Sequence, residues 1–271
     1  MPHLWLRVAL VFYGLGLVYA IAALARHREV LARVIVPAVG LGTVFHFVAL
    51  TEAVLASGHL ASVLSYQYES FLALVLMLIF FAVYWRYRTL SHGIFVFPAV
   101  FLLALTSSLA QRPPQLDTPL LRGGWLYSHI VLIFLGYAAL FFSFASSLLY
   151  LVQERRLKDK KSGAPFSRMP SLAEMDDVGL RSLVIGFPFM TLGLVAGAVI
   201  AVATYGAQYF SDPKVVLSLL MWVVYMVLLF SRWSAGWRGR RAALLSTAAF
   251  VTATLAWAAN YFNSMHKLVA P

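Results

Sequence analysis

Three histidines lie where an imidazole could do chemistry at a membrane boundary or inside a membrane. His129 opens a long apolar run in SHIVLIFLGYAAL, and His266 follows another in NYFNSMHKL. Neutral imidazole nitrogens bind transition metals, and two of them on opposite faces of haem complete the coordination of its iron. His129 and His266 are therefore candidate axial ligands, and the alternative is a pair of unrelated interfacial histidines. His46, the third, lies near the middle of an apolar run, in GTVFHFVAL.

An ionisable group in the middle of a membrane span is costly, so it usually has a function or a close partner. His46 could be a second haem ligand, relay protons or bind a quinone, and the alternative is a neutral histidine hydrogen-bonded to a neighbouring helix. Glu69 opens another apolar run, and His59 lies in the polar segment SGHLASVLSYQYES. Both are further candidates for cofactor contacts, against an interfacial carboxylate and a solvated loop residue as alternatives.

The polar break TYGAQYFSDPK, residues 204–214, separates two apolar runs. Tyr205, Tyr209 and Phe210 supply flat side chains, and Gly206, Asp212 and Pro213 are residues expected to stop helices. Such a stretch could form a platform for a planar ring, with these three aromatics and Asp212 as binding residues. Aromatic belts also occur at the boundary of any membrane protein, which is the alternative interpretation.

The composition indicates an integral membrane protein. Of 271 residues 62% are hydrophobic and only 11% are charged, against about half and about a quarter in soluble domains. The net charge of +11 is then explained by membrane orientation and anionic lipid, so we expect no nucleic-acid partner. The sequence has no cysteine, which excludes disulfides and a thioether link to haem. Any haem would be held non-covalently, as in a b-type site.

The apolar runs predict an all-α, polytopic protein with about eight transmembrane helices. Each run is continuously apolar, whereas a transmembrane barrel needs short segments of alternating polarity. Sixteen of the 21 Lys and Arg residues follow the first, third, fifth and seventh runs, which predicts that those loops are cytoplasmic and both termini outside. The runs are Leu4–Leu24, Val34–Leu55, Tyr68–Trp85, Ile94–Leu109, Trp125–Val152, Leu183–Thr204, Val215–Phe230 and Ala242–Phe262.

We predict one transmembrane domain over residues 1–271, interrupted by a cytoplasmic loop over residues 153–182. Within that loop Ser171 and Glu174 have the spacing of a capping box, so a short helix is expected to start near Ser171. Further on, Gly193 and Gly197 form a GxxxG pair, which is more typical of close helix packing than of function.

The combined pattern resembles the CcsA-type cytochrome c assembly family, including its shorter HemX-like and YpjD-like relatives. That family has an outer loop of the form WGxYWxWDPK between two histidines, and YGAQYFSDPK fits its frame, with tyrosines and Ser211 in place of tryptophans. His129 before Gly136-Tyr137-Ala138 and the late His266 match the family's two histidines. Gly58-His59 with Tyr68-Glu69-Ser70 echoes a further family segment.

The resemblance implies binding or escort of haem at the outer face of a bacterial cytoplasmic membrane. His129 and His266 would ligate the iron, and the 204–214 stretch would cradle the ring. Because the loop tryptophans are replaced, we expect an accessory relative rather than the synthase itself. Expected partners are the lipid bilayer, haem and other cytochrome assembly or respiratory membrane proteins. Two alternatives are a haem-free subunit or regulator of tetrapyrrole synthesis or of a respiratory complex, and a small transporter.

Overall fold

A computed structural model of the chain describes residues 4–25, 29–57, 63, 67–109, 124–159 and 170–258. This part of the chain is helical and contains no strand. A six-residue 3-10 helix, Gly206–Ser211, joins the sixth and seventh helices. The α-helices are α1 (Leu4–Ala25), α2 (Glu29–Ser57), α3 (Tyr68–Tyr87), α4 (Gly93–Leu109), α5 (Gly124–Lys158), α6 (Leu172–Tyr205), α7 (Pro213–Trp233) and α8 (Arg240–Ala258).

Six helices in the described residues are long and apolar enough to cross a membrane, namely α1, α2, α3, α5, α6 and α7. They correspond to six of the eight runs, so the prediction of an all-α polytopic membrane protein is confirmed. The fourth run is the shorter apolar helix α4, and the eighth is described as α8 as far as Ala258. Pro37, Pro98 and Pro188 lie inside helices that continue past them.

The chain divides into two compact units, and each is described by itself. Unit 1 comprises residues 1–121 and 156–170. Within it α1 packs against α2 and α4, and α3 packs against α4. Phe80 and Phe97 meet edge to face in its core, with ring centroids 4.8 Å apart. Gly16 allows a close approach here, since a Cβ at that position would lie 3.1–3.3 Å from Val39 and Phe97.

Unit 2 comprises residues 122–155 and 171–271. Its core is a cluster of buried apolar side chains from α5, α6, α7 and α8, in which Leu140, Met190 and Tyr225 are fully buried. Two serines also join α5 to α8, because Ser143 Oγ and Ser246 Oγ lie 3.0 Å apart in a buried hydrogen bond. This unit carries His129 and the 3-10 helix.

The start of α6 is the capping box predicted at Ser171. The Glu174 amide donates to Ser171 Oγ, and the Ser171 amide donates to Glu174 Oε2, at 3.2 and 2.8 Å. The helix that begins there is not short, however, since it continues for 34 residues into the next span. Residues 153–158 are likewise the end of α5. The segment predicted as a loop is therefore helical at both ends, and the single-domain prediction stays a prediction.

Candidate functional site

His129 lies one turn into α5 and contacts α6. Its Nδ1 lies 2.7 Å from the carbonyl oxygen of Gly193. A carbonyl oxygen only accepts hydrogen bonds, so Nδ1 must carry the proton and donate it. In a neutral ring Nε2 then holds a lone pair. Metal-binding histidines are commonly oriented in this way, with the other ring nitrogen donating to a carbonyl or carboxylate.

The imidazole of His129 lies against Gly197, one helical turn beyond Gly193. A Cβ built at Gly197 would be only 2.6 Å from Cε1 and Nδ1 of the ring, closer than real Cβ contacts. A Cβ at Gly193 would meet the side chain of Ile133 at 2.9 Å. His129 and Ile133 are themselves one turn apart on α5. The GxxxG pair thus packs helices together, as its pattern suggests, and one of the side chains it accommodates is the candidate ligand.

The 204–214 stretch is a compact connection rather than an extended loop. Gly206 ends α6 with a φ of +65°, a conformation that favours glycine, and the 3-10 helix follows. Asp212 is the N-cap of α7, with Oδ1 accepting a 2.7 Å hydrogen bond from the Lys214 amide and Pro213 at the first helical position. Asp212 is buried, and its described role is to start α7.

Lys214 lies near enough to His129 for its charge to act on the imidazole. The histidine, the end of the 3-10 helix and a cation therefore share one end of unit 2. Phe210 exposes 54% of its surface in the same connection. Tyr205 and Tyr209 lie in this connection, but the structure describes only their backbone and not their side chains. Sequence reasoning missed Lys214 as a site residue, although the DPK motif contains it.

Two of the sequence candidates, His59 and His266, lie outside the described residues. Glu69 is in the first turn of α3, in unit 1, where a carboxylate interacts favourably with the helix dipole. In the described part of the chain, no three His, Asp or Glu side chains come together as a metal cluster. The roles of these three residues in cofactor binding stay predictions.

His46 lies in a buried hydrogen-bond network that joins three helices of unit 1. Its Nδ1 is 3.1 Å from Tyr13 Oη on α1, and its Nε2 is 2.7 Å from Ser70 Oγ on α3. The residue is fully buried. Both ring nitrogens therefore have partners, which is the arrangement of a neutral histidine hydrogen-bonded to its neighbours. To contact a cofactor, the ring would have to release one of these partners, and that role stays a prediction.

Comparison with known proteins gives consistent matches. The family model described as "Cytochrome C assembly protein" matches residues 4–266. The chain is similar to three proteins named "Cytochrome c biogenesis protein CcsA". The Heterosigma akashiwo protein is 29% identical over 226 residues, covering 69% of this chain and 70% of the relative. The Guillardia theta protein is 30% identical over 209 residues, covering 69% of each. The Prochlorococcus marinus (strain MIT 9312) protein is 34% identical over 182 residues, covering 60% and 56%.

Proposed function

Because the chain belongs to the cytochrome c assembly protein family, we propose that it holds haem non-covalently at the outer face of its membrane during cytochrome c biogenesis. The observation that carries this proposal is the state of His129. Its Nδ1 proton is donated to the Gly193 carbonyl, so in the neutral ring Nε2 holds the lone pair that can bind a metal. A nitrogen in this state could hold the iron of a bound haem.

Haem, when bound, supplies an iron that takes imidazole nitrogen on each face of the ring and can change oxidation state. His129 would hold one face, and His266 is the proposed ligand of the other. The Gly193 carbonyl keeps the His129 ring in one orientation and one tautomer. Without that hydrogen bond, Nδ1 and Nε2 would compete for the proton and the donor would be less well defined.

Lys214 is close enough to His129 for its charge to act on the imidazole, and we propose that it supplies a positive charge to this site. Haem carries two carboxylate side chains, so a cation here would favour its binding and fix its orientation. The exposed ring of Phe210 offers a flat apolar surface in the same connection. We propose that Phe210, with Tyr205 and Tyr209, covers the haem plane, and that Asp212 contributes by fixing where α7 begins.

The proposed role is that of a haem-holding accessory protein rather than the enzyme that joins haem to an apocytochrome. Its proposed location is the bacterial cytoplasmic membrane, with both termini on the outer side, as the distribution of Lys and Arg predicts. Other cytochrome assembly proteins of the membrane would deliver or accept the haem.

The test is haem binding by the purified full-length protein in detergent, followed by its reduced-minus-oxidised absorbance spectrum. We expect a Soret band and an α-band in the unmodified protein and their loss in His129→Ala and His266→Ala. Ser128→Ala is the matched control, because Ser128 is exposed and its hydroxyl donates only within its own helix, to Gly124 O at 2.9 Å. No haem bands after supplementation, or equal bands in all variants, would refute the proposal.

A further inference from the structure

Within unit 2, the turn between α7 and α8 is held against α6 by a partly buried ion pair. Arg232 Nη1 donates to Asp176 Oδ1 at 2.9 Å, and Nη2 donates to the Asp176 backbone carbonyl at 3.1 Å. The Arg232 side chain is only 7% exposed. The Gly239 amide also points to Asp176 Oδ1, at 3.4 Å. One carboxylate thus holds both ends of the turn against the start of α6.

Two further contacts define the path of this turn. The Trp237 amide donates to the Ser231 carbonyl at 3.1 Å. Gly239 has a φ of +63°, and a Cβ there would be 2.6 Å from the phenol oxygen of Tyr150 on α5. A side chain is therefore excluded at this position both by conformation and by space. Hydrogen bonds and close packing therefore fix the conformation of this turn.

The surface that this turn presents is basic and aromatic. Residues 231–241, SRWSAGWRGRR, contain four arginines and no acidic residue. Arg238, Arg240 and Arg241 are exposed, while Arg232 is paired internally. Trp233 exposes 86% of its surface and Trp237 exposes 37%. We call the exposed side chains of residues 233–241 the arginine turn.

Two features of the arginine turn favour an anion. First, Arg240 and Arg241 lie in the first turn of α8, which has no acidic residue, although cations are unfavourable at the positive end of a helix dipole unless an anion offsets them. Second, the arginine turn begins at Trp233, the last residue of a candidate membrane span, so we expect its two tryptophans at headgroup depth, where indole rings are preferred.

We propose that the arginine turn binds the phosphate of an anionic phospholipid, with Trp233 and Trp237 beside the glycerol and upper acyl region. Guanidinium groups bind phosphate through paired hydrogen bonds, and the complementary charge selects anionic over zwitterionic headgroups. The ion pair of Asp176 and Arg232 is not itself the lipid site. It acts as a positioning pair that holds the three exposed arginines in one arrangement.

The experiment measures lipid binding to the full-length protein by native mass spectrometry and in nanodiscs, comparing phosphatidylglycerol with phosphatidylcholine. We expect Arg240→Gln/Arg241→Gln to weaken phosphatidylglycerol binding at least tenfold, since each basic residue near an anionic surface contributes roughly fivefold. The matched control is Arg155→Gln/Lys158→Gln, which removes the same charge from exposed positions at the end of α5. Equal loss in the two double variants would overturn the proposal.

Asp176→Asn distinguishes a preorganised phosphate site from diffuse attraction, meaning nonspecific electrostatic attraction of anionic lipid, because it keeps every arginine and raises the net charge by one. Diffuse attraction predicts equal or tighter binding of anionic lipid, whereas our proposal predicts binding at least fivefold weaker. Should Asp176→Asn fail to fold, the two double variants still decide, as they change only exposed side chains. Inorganic phosphate alone is the last arm: if it binds with the same dependence on Arg240 and Arg241, the ligand is free phosphate and the lipid proposal fails.

Discussion

Replacing Gly197 by alanine should dislodge the imidazole of His129 without removing it. The new Cβ would lie 2.6 Å from two ring atoms, so the ring must shift. The 2.7 Å hydrogen bond from Nδ1 to Gly193 holds the ring in place and would be lost or distorted. Because His129 is still present, with the Nε2 nitrogen that would bind the iron, the variant tests the position and tautomer of the ligand rather than its presence.

The expected losses of stability and of haem affinity follow from these contacts. Loss of one hydrogen bond costs about 0.5–1.5 kcal/mol, and forcing a methyl group into a packed contact costs about 1–3 kcal/mol. Alanine in place of glycine gains about 1 kcal/mol in a helix, which partly offsets these costs. For haem, losing the group that orients a histidine ligand typically weakens binding about 10- to 100-fold.

The matched control is Gly179→Ala on the same helix. A Cβ at Gly179 would lie 3.6 Å from Ser146 Cβ, an ordinary contact, so this variant receives the gain in helix propensity without the clash. We expect Gly197→Ala to be roughly 1.5–4.5 kcal/mol less stable than Gly179→Ala. Haem titration followed at the Soret band, and thermal unfolding in detergent, measure the two effects. Unchanged haem affinity in Gly197→Ala, or an equal loss of stability and haem affinity in Gly179→Ala, would show that Gly197 does not position His129.

Three further predictions concern other buried positions. Gly186→Ala should lower stability by about 1–3 kcal/mol in thermal unfolding, because its Cβ would lie 2.5 Å from both Ala139 Cβ and Tyr225 Oη. His46→Gln should lower stability by about 1–3 kcal/mol, since two buried hydroxyls lose their shared partner, while the haem spectrum persists; loss of that spectrum would instead make His46 a cofactor residue. Burial lowers the pKa of His92, in the turn between α3 and α4, to about 4. As the pH falls, His92 therefore becomes protonated in the unfolded chain before it does in the folded protein. The free energy of unfolding should fall by up to about 3 kcal/mol as the pH drops from about 6.5 to 4, and His92→Gln should remove this part of the pH dependence of stability.

Most of the helical framework could be predicted, because it depends on local signals. Long apolar runs with few charges gave six of the spans to within a few residues of their ends, apart from the early start of α6 and the late end of α5. The capping box at Ser171 gave the start of α6. Asp212 and Pro213 were expected only to stop helices, whereas in the structure they begin α7 as its N-cap and first residue. The family resemblance carried by YGAQYFSDPK and His129 is confirmed by the match over residues 4–266.

The length of α6 could not be read from composition. Residues 172–182 are polar enough to suggest a loop, yet they contain no proline that would break a helix. The turn of α6 at Asp176 is held by Arg232, which is 56 residues away in the sequence. Such a partner depends on how α6 and α7 pack, and the sequence pattern contains no information about that register.

The environment of His129 was likewise beyond sequence reasoning. The GxxxG pair predicted that a helix would pack closely at Gly193 and Gly197, but not which side chain would lie there. His129 and Gly193 are 64 residues apart, so their contact needs the relative rotation of α5 and α6. The tautomer of the histidine follows only from that contact.

An experimental density map of the haem-supplemented protein in a lipid nanodisc would show directly whether His129 and His266 hold haem. We expect planar density on the Nε2 side of His129, with the Nδ1 bond to Gly193 intact and His266 on the opposite face of the plane. Haem density elsewhere, or Nε2 of His129 facing lipid with His266 remote from it, would overturn the proposed function.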